Sequence, residues 1–330
     1  MGLARIITGG DPLLRLLAIA IVLATILPVS GAQRAVAQGI ADAAIVLLFL
    51  LNGLRLSRRD VFRGIVHWRF LAPLAAWSFI VMALAGWGLS ELGLSPLGRG
   101  LLPGEIALGL LFLGVLPSTV QSATAYSSLA EGNVANSVVA AAVLNMAGVL
   151  VSAPLFSLLA GSDAPAFDLH ALGRITMLLI APFIAGQLLQ RWLGEAAKRH
   201  RALTSWADRL TIAIAVYVAV SGAVEQGLWQ RMDAIGWAGL LALVLPFLAF
   251  GFGGAWLAAG ALRLNRADRI AFLFAGAQKS IALGAPLASV LFPPAVAGMV
   301  LMPALAYHLL QLVLSASLAT RLRRGAPASP

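Results

Sequence analysis

The stretch Phe272-Leu-Phe-Ala-Gly-Ala-Gln-Lys-Ser-Ile-Ala-Leu-Gly-Ala-Pro286 is apolar enough to enter a bilayer, yet it carries Gln278, Lys279 and Ser280 at its middle. A cation at the bilayer centre is unfavourable by about 2.5 kcal/mol or more, so such a residue normally faces a protein-lined or water-filled cavity. The glycines and the proline in the same stretch weaken a continuous helix. A broken membrane helix with a functional group at its break is predicted here.

The rest of the chain has the composition that this reading requires. Of its 330 residues, 60% are hydrophobic and only 11% charged, with a mean hydropathy of +0.92, whereas soluble domains carry about 25% charged residues. The expected surroundings are therefore a lipid bilayer. The net charge of +10 comes from short basic clusters between apolar runs, not from one basic face studded with aromatics, which argues against nucleic acid as a partner. With no cysteine in the chain, disulfides, thiolate metal sites and cysteine nucleophiles are excluded.

Ten apolar segments can be drawn, covering 13–27, 40–56, 70–89, 101–129, 134–159, 172–189, 210–224, 237–262, 270–292 and 296–318. A span needs about 17–25 residues. Arg5, the first apolar run and Ser30-Gly31-Ala32 imitate a cleavable signal peptide, but the run is kept as a span because ten segments divide evenly. On alternate sides of the ten, one side holds only Arg34, Arg99, Arg174 and Arg231, and every other basic residue except Lys279 falls on the opposite side. Basic residues in short loops stay cytoplasmic, so both termini are expected in the cytoplasm of a bacterial inner membrane. The chain is read as a single transmembrane domain, 1–330, with one repeat over about 10–160 and a second over about 170–320.

The fourth segment is broken as well. In Leu116-Pro-Ser-Thr-Val-Gln-Ser-Ala-Thr-Ala125 the proline removes a helix hydrogen bond, and Ser118, Thr119, Gln121, Ser122 and Thr124 crowd together at membrane depth. Segments four and nine occupy corresponding places in two five-segment halves. Because five is odd, the second half must be inverted. Interrupted segments at matching places of inverted halves point to a transporter's midplane site. The competing explanation is that small and hydroxyl residues simply let helices pack closely.

At such a site freed carbonyls bind cations, while half-helix N-termini present N–H groups to anions. Lys279 either stays charged, doing the work of a bound cation and drawing in a carboxylate or sulfate, or exchanges a proton during transport. Ser137 and Asn145 lie two turns apart in the fifth segment and so on one helix face. His308, in the last segment, is a candidate proton relay or substrate contact. Asp42 reads as a structural residue near a helix start, and the tryptophans at 68, 77, 87, 192, 206, 229 and 237 as interface anchors.

Ser127-Ser-Leu-Ala-Glu-Gly-Asn-Val-Ala-Asn-Ser137 and Gln278-Lys-Ser-Ile-Ala-Leu-Gly284, with Pro293-Pro294 beyond, resemble the crossing region of the bile acid:sodium symporter superfamily, nearest its sodium/bile acid cotransporter 7-like branch. The resemblance implies an all-α polytopic protein of ten transmembrane helices in two inverted five-helix repeats, with helices four and nine broken and crossing. It further implies a panel of segments one, two, six and seven and a core of the rest. Thr124, Ser137 and Gln278 match the family's sodium positions, so a sodium ion near them is one expectation. Other positions depart: the family's ninth-segment glutamate falls at Phe274, a third-segment glutamine near His67 or Trp68, a fifth-segment hydroxyl at Ala141, and the asparagine after Gln278 is Lys279.

The function expected is secondary transport of an organic anion, bile-acid-like or a small carboxylate, by alternating access. No cofactor is expected beyond sodium or a proton as coupling ion, and no obligate protein partner is evident. A channel or a nontransporting membrane sensor on the same scaffold is the alternative. An intramembrane enzyme is a weaker one, since the chain has no His-Glu-x-x-His pair and no membrane-embedded Asp pair, and the lack of a Gly-rich Lys-Ser/Thr loop argues against built-in ATP hydrolysis. The topology has a direct check: a phosphatase fused after Arg324 is expected to be inactive and a fluorescent protein there bright, the outcome for a cytoplasmic C-terminus.

Overall fold

The computed structural model describes residues 12–55, 67–96, 98, 102–161 and 173–324. Among these residues all regular structure is helical: α1 (Pro12–Ile26), α2 (Ala32–Arg55), α3 (Trp68–Leu94), α4 (Gly104–Val115), α5 (Val120–Leu129), α6 (Val134–Ala160), α7 (Ala181–Arg199), α8 (Arg201–Glu225), α9 (Ala234–Ala261), α10 (Arg266–Ala277), α11 (Ile281–Leu291) and α12 (Pro294–Arg324). Eight stretches are long and apolar enough to cross a membrane, nine if the bent pair α4 and α5 is one span. The chain is thus a multi-pass integral membrane protein.

Each apolar segment of the sequence has a helix over it, with corrections of detail. The first, α1, has only 15 residues, short of a full span. The second begins at Ala32 rather than near residue 40, so Asp42 stands in a helix interior, accepting from Gln38 at 2.9 Å and facing Arg174 at 3.7 Å. Trp77 is no interface anchor. It is buried in the middle of α3 and stacked on Phe250, whereas Trp68, Trp87, Trp192, Trp206 and Trp229 are exposed. Of the basic residues used for orientation, Arg5, Arg58, Arg59, Arg63 and Arg99 lie outside the described residues.

The helices fall into two compact units. The first collects α1, α2, α7 and α8 with residues Gly284–Leu301; the second collects α3 to α6, α9, α10 and the remainder of α12. The resemblance had placed all of segments nine and ten with the core, but Gly284–Leu301 groups with the first unit. There Gly298 of α12 lies so close to Ala219 of α8 that a Cβ would strike its carbonyl. In the same unit Arg34 pairs with Glu225 at 2.5 Å and Arg55 with Asp208 at 2.6 Å.

In the second unit α4 and α10 are buried on nearly every side, as expected of helices surrounded by protein. That shelter permits broken backbone at membrane depth. The break after α4 follows from Pro117, which lacks an N–H and forces its predecessor into extended backbone; Leu116 has φ −68° and ψ 142°. Its ring occupies a notch in α6 left by Gly148, where a Cβ would sit 2.5 Å from the proline Cγ. Gly148→Val is expected to destabilise the protein by about 1–3 kcal/mol through this clash. Gly253→Ala, whose new Cβ meets open space, should be neutral or stabilising. Thermal melting in detergent separates the two.

Candidate functional site

Several of the backbone groups released at the two breaks find new partners on other elements. At the end of α4, Val115 O accepts from Ser152 Oγ at 2.8 Å, Gly114 O and Leu116 O each accept from Lys279 Nζ at 2.8 Å, and Pro117 O accepts from Ser280 N–H at 2.8 Å. At the other break, Tyr307 O–H donates to Ala277 O at 2.6 Å. Gln311 grips the Lys279 peptide with both ends of its amide: Lys279 N–H donates to Oε1 at 2.8 Å, and Nε2 donates to Lys279 O at 3.0 Å. Thr119 Oγ1 donates to the same carbonyl at 2.9 Å. Buried backbone groups must be paired, and here side chains from other helices supply what the interrupted helices lack.

Lys279 is 2% exposed. Its third contact is Ser78 O at 3.4 Å, and a π turn at Trp77–Val81 makes that oxygen available. Met82 N–H, which an α-helix would aim at Ser78 O, instead bonds Trp77 O. All three protein oxygens around Lys279 Nζ are backbone carbonyls, and two of them end α4, where the helix dipole is negative. This is the donor set that unwound transporter helices offer a cation. The N-termini of α5 and α11 begin at the same crossing, joined through the Thr119–Lys279 and Ser280–Pro117 bonds.

A second layer surrounds Gln278. Ser122 Oγ donates to its Oε1 at 2.5 Å, and its Nε2 donates to Ser315 Oγ at 3.1 Å. His308 Nδ1 lies 2.7 Å from Gln311 Nε2, one bond removed from the Lys279 peptide. Ser280 Oγ accepts from Leu283 N–H at 3.3 Å, starting α11. Of the candidates read from the sequence, Thr119, Ser122, Gln278, Lys279, Ser280 and His308 are brought together in this way. Ser118 is also buried at the crossing, and its hydroxyl has no hydrogen-bond partner.

Other candidates stand apart. Gln121 is exposed, and Thr124 donates to Val120 O in its own helix at 2.8 Å. Ser137 is fully buried with an unpartnered hydroxyl, and Asn145 is half-buried two turns further on. Among the described residues no three His, Asp or Glu side chains stand close enough together to hold a metal ion. Sequence reasoning missed Ser78, Tyr307, Gln311 and Ser315 as parts of the site. The last three, with His308, form a polar stripe on one face of α12, and that spacing was the available signal.

This geometry, carbonyl-lined and built where two interrupted helices meet inside a multi-pass helical protein, is that of a membrane transporter. The chain belongs to the SBF-like CPA transporter family, a group of the bile acid:sodium symporter type, whose model matches residues 11–324. It is 37% identical over 305 residues to an uncharacterized protein of Pseudomonas aeruginosa, covering 92% of this chain and 90% of that one. It is 33% identical over 317 residues to a protein of Escherichia coli K12 named "Putative symporter YfeH", covering 95% and 93%.

Gln311→Leu leaves the buried Lys279 N–H without a partner and is expected to destabilise the protein by about 1–3 kcal/mol. Gln121→Ala, at an exposed position outside the network, should stay within about 0.5 kcal/mol of wild type. Melting temperatures in one detergent provide the check.

Proposed function

We propose that the protein is a secondary transporter of an organic anion, bile-acid-like or a small carboxylate, in which Lys279 stands in for a bound coupling cation. The observation that carries this reading is the ammonium held by Gly114 O, Leu116 O and Ser78 O. Those oxygens are already occupied, so a metal cation would have to displace the lysine. It would also meet a repulsion of roughly 4 kcal/mol at 4 Å and an effective dielectric of 20. Lys279 has its protons directed at carbonyls, and its part in anion binding is the positive potential it adds beside the N-termini of α5 and α11.

The anion itself would sit at those N-termini, with Ser118 as the hydroxyl left over to meet it. His308, Gln278 and Ser122 then hold the crossing in shape. The same reading takes the chain as ten spans in two inverted repeats, working by alternating access in a bacterial inner membrane with both termini cytoplasmic. Catalysis has no part in it. Family membership and the symporter-named relative support transport in general; the anion, the inverted repeat and the coupling rest on this proposal.

Uptake of labelled organic anions into proteoliposomes tests it. Uptake should persist when sodium is replaced by choline, and Lys279→Ala should lower it at least about a hundredfold, as loss of a group acting in the transported state does. Lys279→Asn is expected to gain a partial dependence on sodium. A strict sodium requirement with a steep activation curve in the wild type would overturn the coupling proposal. Absence of saturable counterflow would instead favour the channel or sensor.

A further inference from the structure

A second cluster of charge stands at the other end of α10. Arg266, Arg269 and Arg321 line a cleft of about 370 Å³ together with Trp256, Leu264 and Leu322. Arg266 and Arg269 belong to the first turn of α10, and its last turn leads into the Lys279 break. The cleft is therefore about two helical turns or more from the crossing.

Two of the three guanidinium groups are fixed in advance. Arg266 Nη2 donates to Leu322 O at 2.6 Å, and Arg269 Nε donates to Trp256 O at 3.0 Å. The Arg269 guanidinium lies 3.8 Å from the centroid of the Trp256 ring, a cation–π contact that holds its plane. Carbonyls and an aromatic face orient these charges without neutralising them. None of the lining residues is acidic, and none of the three arginines stands in an ion pair with a described residue. Asp268, beside the cleft in sequence, is engaged by Asn133, Asn136 and Asn265 at 2.7–2.8 Å.

Arg266 and Arg269 at the start of α10 oppose both one another and its dipole, and Arg321 joins them from the last turn of α12. An anion shared by the three guanidinium groups would offset that repulsion. Planar guanidinium forks match the oxygens of a phosphate, which each can bind through two N–H groups. At 28 residues α9 is about 42 Å long, enough to reach headgroup level on both sides, so its C-terminal turns place Trp256 near the interface.

We infer that Arg266, Arg269 and Arg321 form a phosphate-ester site, filled by the headgroup of an anionic phospholipid or by a soluble phosphate monoester. Leu264 and Leu322 give the cleft an apolar border suited to the lipid. A bound phosphate would tie the start of α10 to the end of α12, the two helices that also meet at Lys279 and Gln311. Occupancy would then stiffen the half-helix leading to the transport break.

The test uses the full chain in phosphatidylcholine nanodiscs, with and without phosphatidylglycerol, and a parallel series in phosphatidylcholine with glycerol 3-phosphate or inorganic phosphate. Retained lipid is counted by native mass spectrometry, and stability is read by thermal melting. The wild type should retain phosphatidylglycerol and melt higher with it, and the Arg269→Gln/Arg321→Gln double variant should lose about tenfold or more in retention. Arg323→Gln/Arg324→Gln, outside the cleft, should stay near wild type. Arg269→Lys keeps the charge without the fork or the stack; it should melt normally in phosphatidylcholine and still bind severalfold less, which serves if the double variant does not fold. A response to phosphatidylglycerol alone identifies the lipid, and a response to glycerol 3-phosphate or phosphate identifies a soluble ester. No retention or stabilisation of either kind by the wild type, or equal retention by the wild type and Arg269→Lys, would overturn the site. None of these readings depends on transport, so the outcome is separable from that of the coupling proposal.

Discussion

Three carbonyl oxygens close on one lysine Nζ, and the arrangement around the crossing depends on that contact. An interrupted helix ends in carbonyls that must find donors, and at membrane depth water is not on hand to supply them. Lys279 answers for Gly114 O and Leu116 O at once, while a carbonyl cage in turn is what a buried ammonium needs. Each compensates for the other. The break in α4 and the lysine in the facing break are parts of a single solution, and neither would be stable alone in that place.

The amide of Gln311 performs a quieter version of the same service. By pairing both ends with the Lys279 peptide it reproduces the two-bond exchange between neighbouring β-strands, within an otherwise helical protein. Ser122, Gln278 and Ser315 continue the chain of polar contacts outward. The result is a connected polar network, and such networks hold one geometry more strictly than apolar packing does. The hydroxyl of Ser118, like those of Ser127 and Ser137, has no partner in it.

Much of the fold is legible in the sequence because membranes reward simple patterns. Apolar runs of fixed length mark the helices, Pro117 marks one break, and Gly276, Lys279 and Gly284 mark the other. The candidate residues near those breaks were found for the same reason. Backbone oxygens carry no such mark: nothing in the letters at 78, 114 and 116 says that their carbonyls turn toward a lysine more than 160 residues away. The place of Asp42 in its helix was misread because polar Gln33, Arg34 and Gln38 disguise the first turns of α2 as a loop. Trp77 was misjudged because tryptophan is common at interfaces, and only packing against Phe250 reveals it as core.

The π turn at Trp77–Val81 is, in effect, one residue more than a regular helix can hold. A chain shorter by a single residue at this place could close the turn as ordinary α-helix, and the oxygen at position 78 would then be spent inside its own helix. Lys279 Nζ would keep two partners instead of three. Chain length at that one turn, rather than the identity of any side chain, would thus set how tightly Lys279 is held, and homologues could be sorted by it before any residue at the crossing is compared.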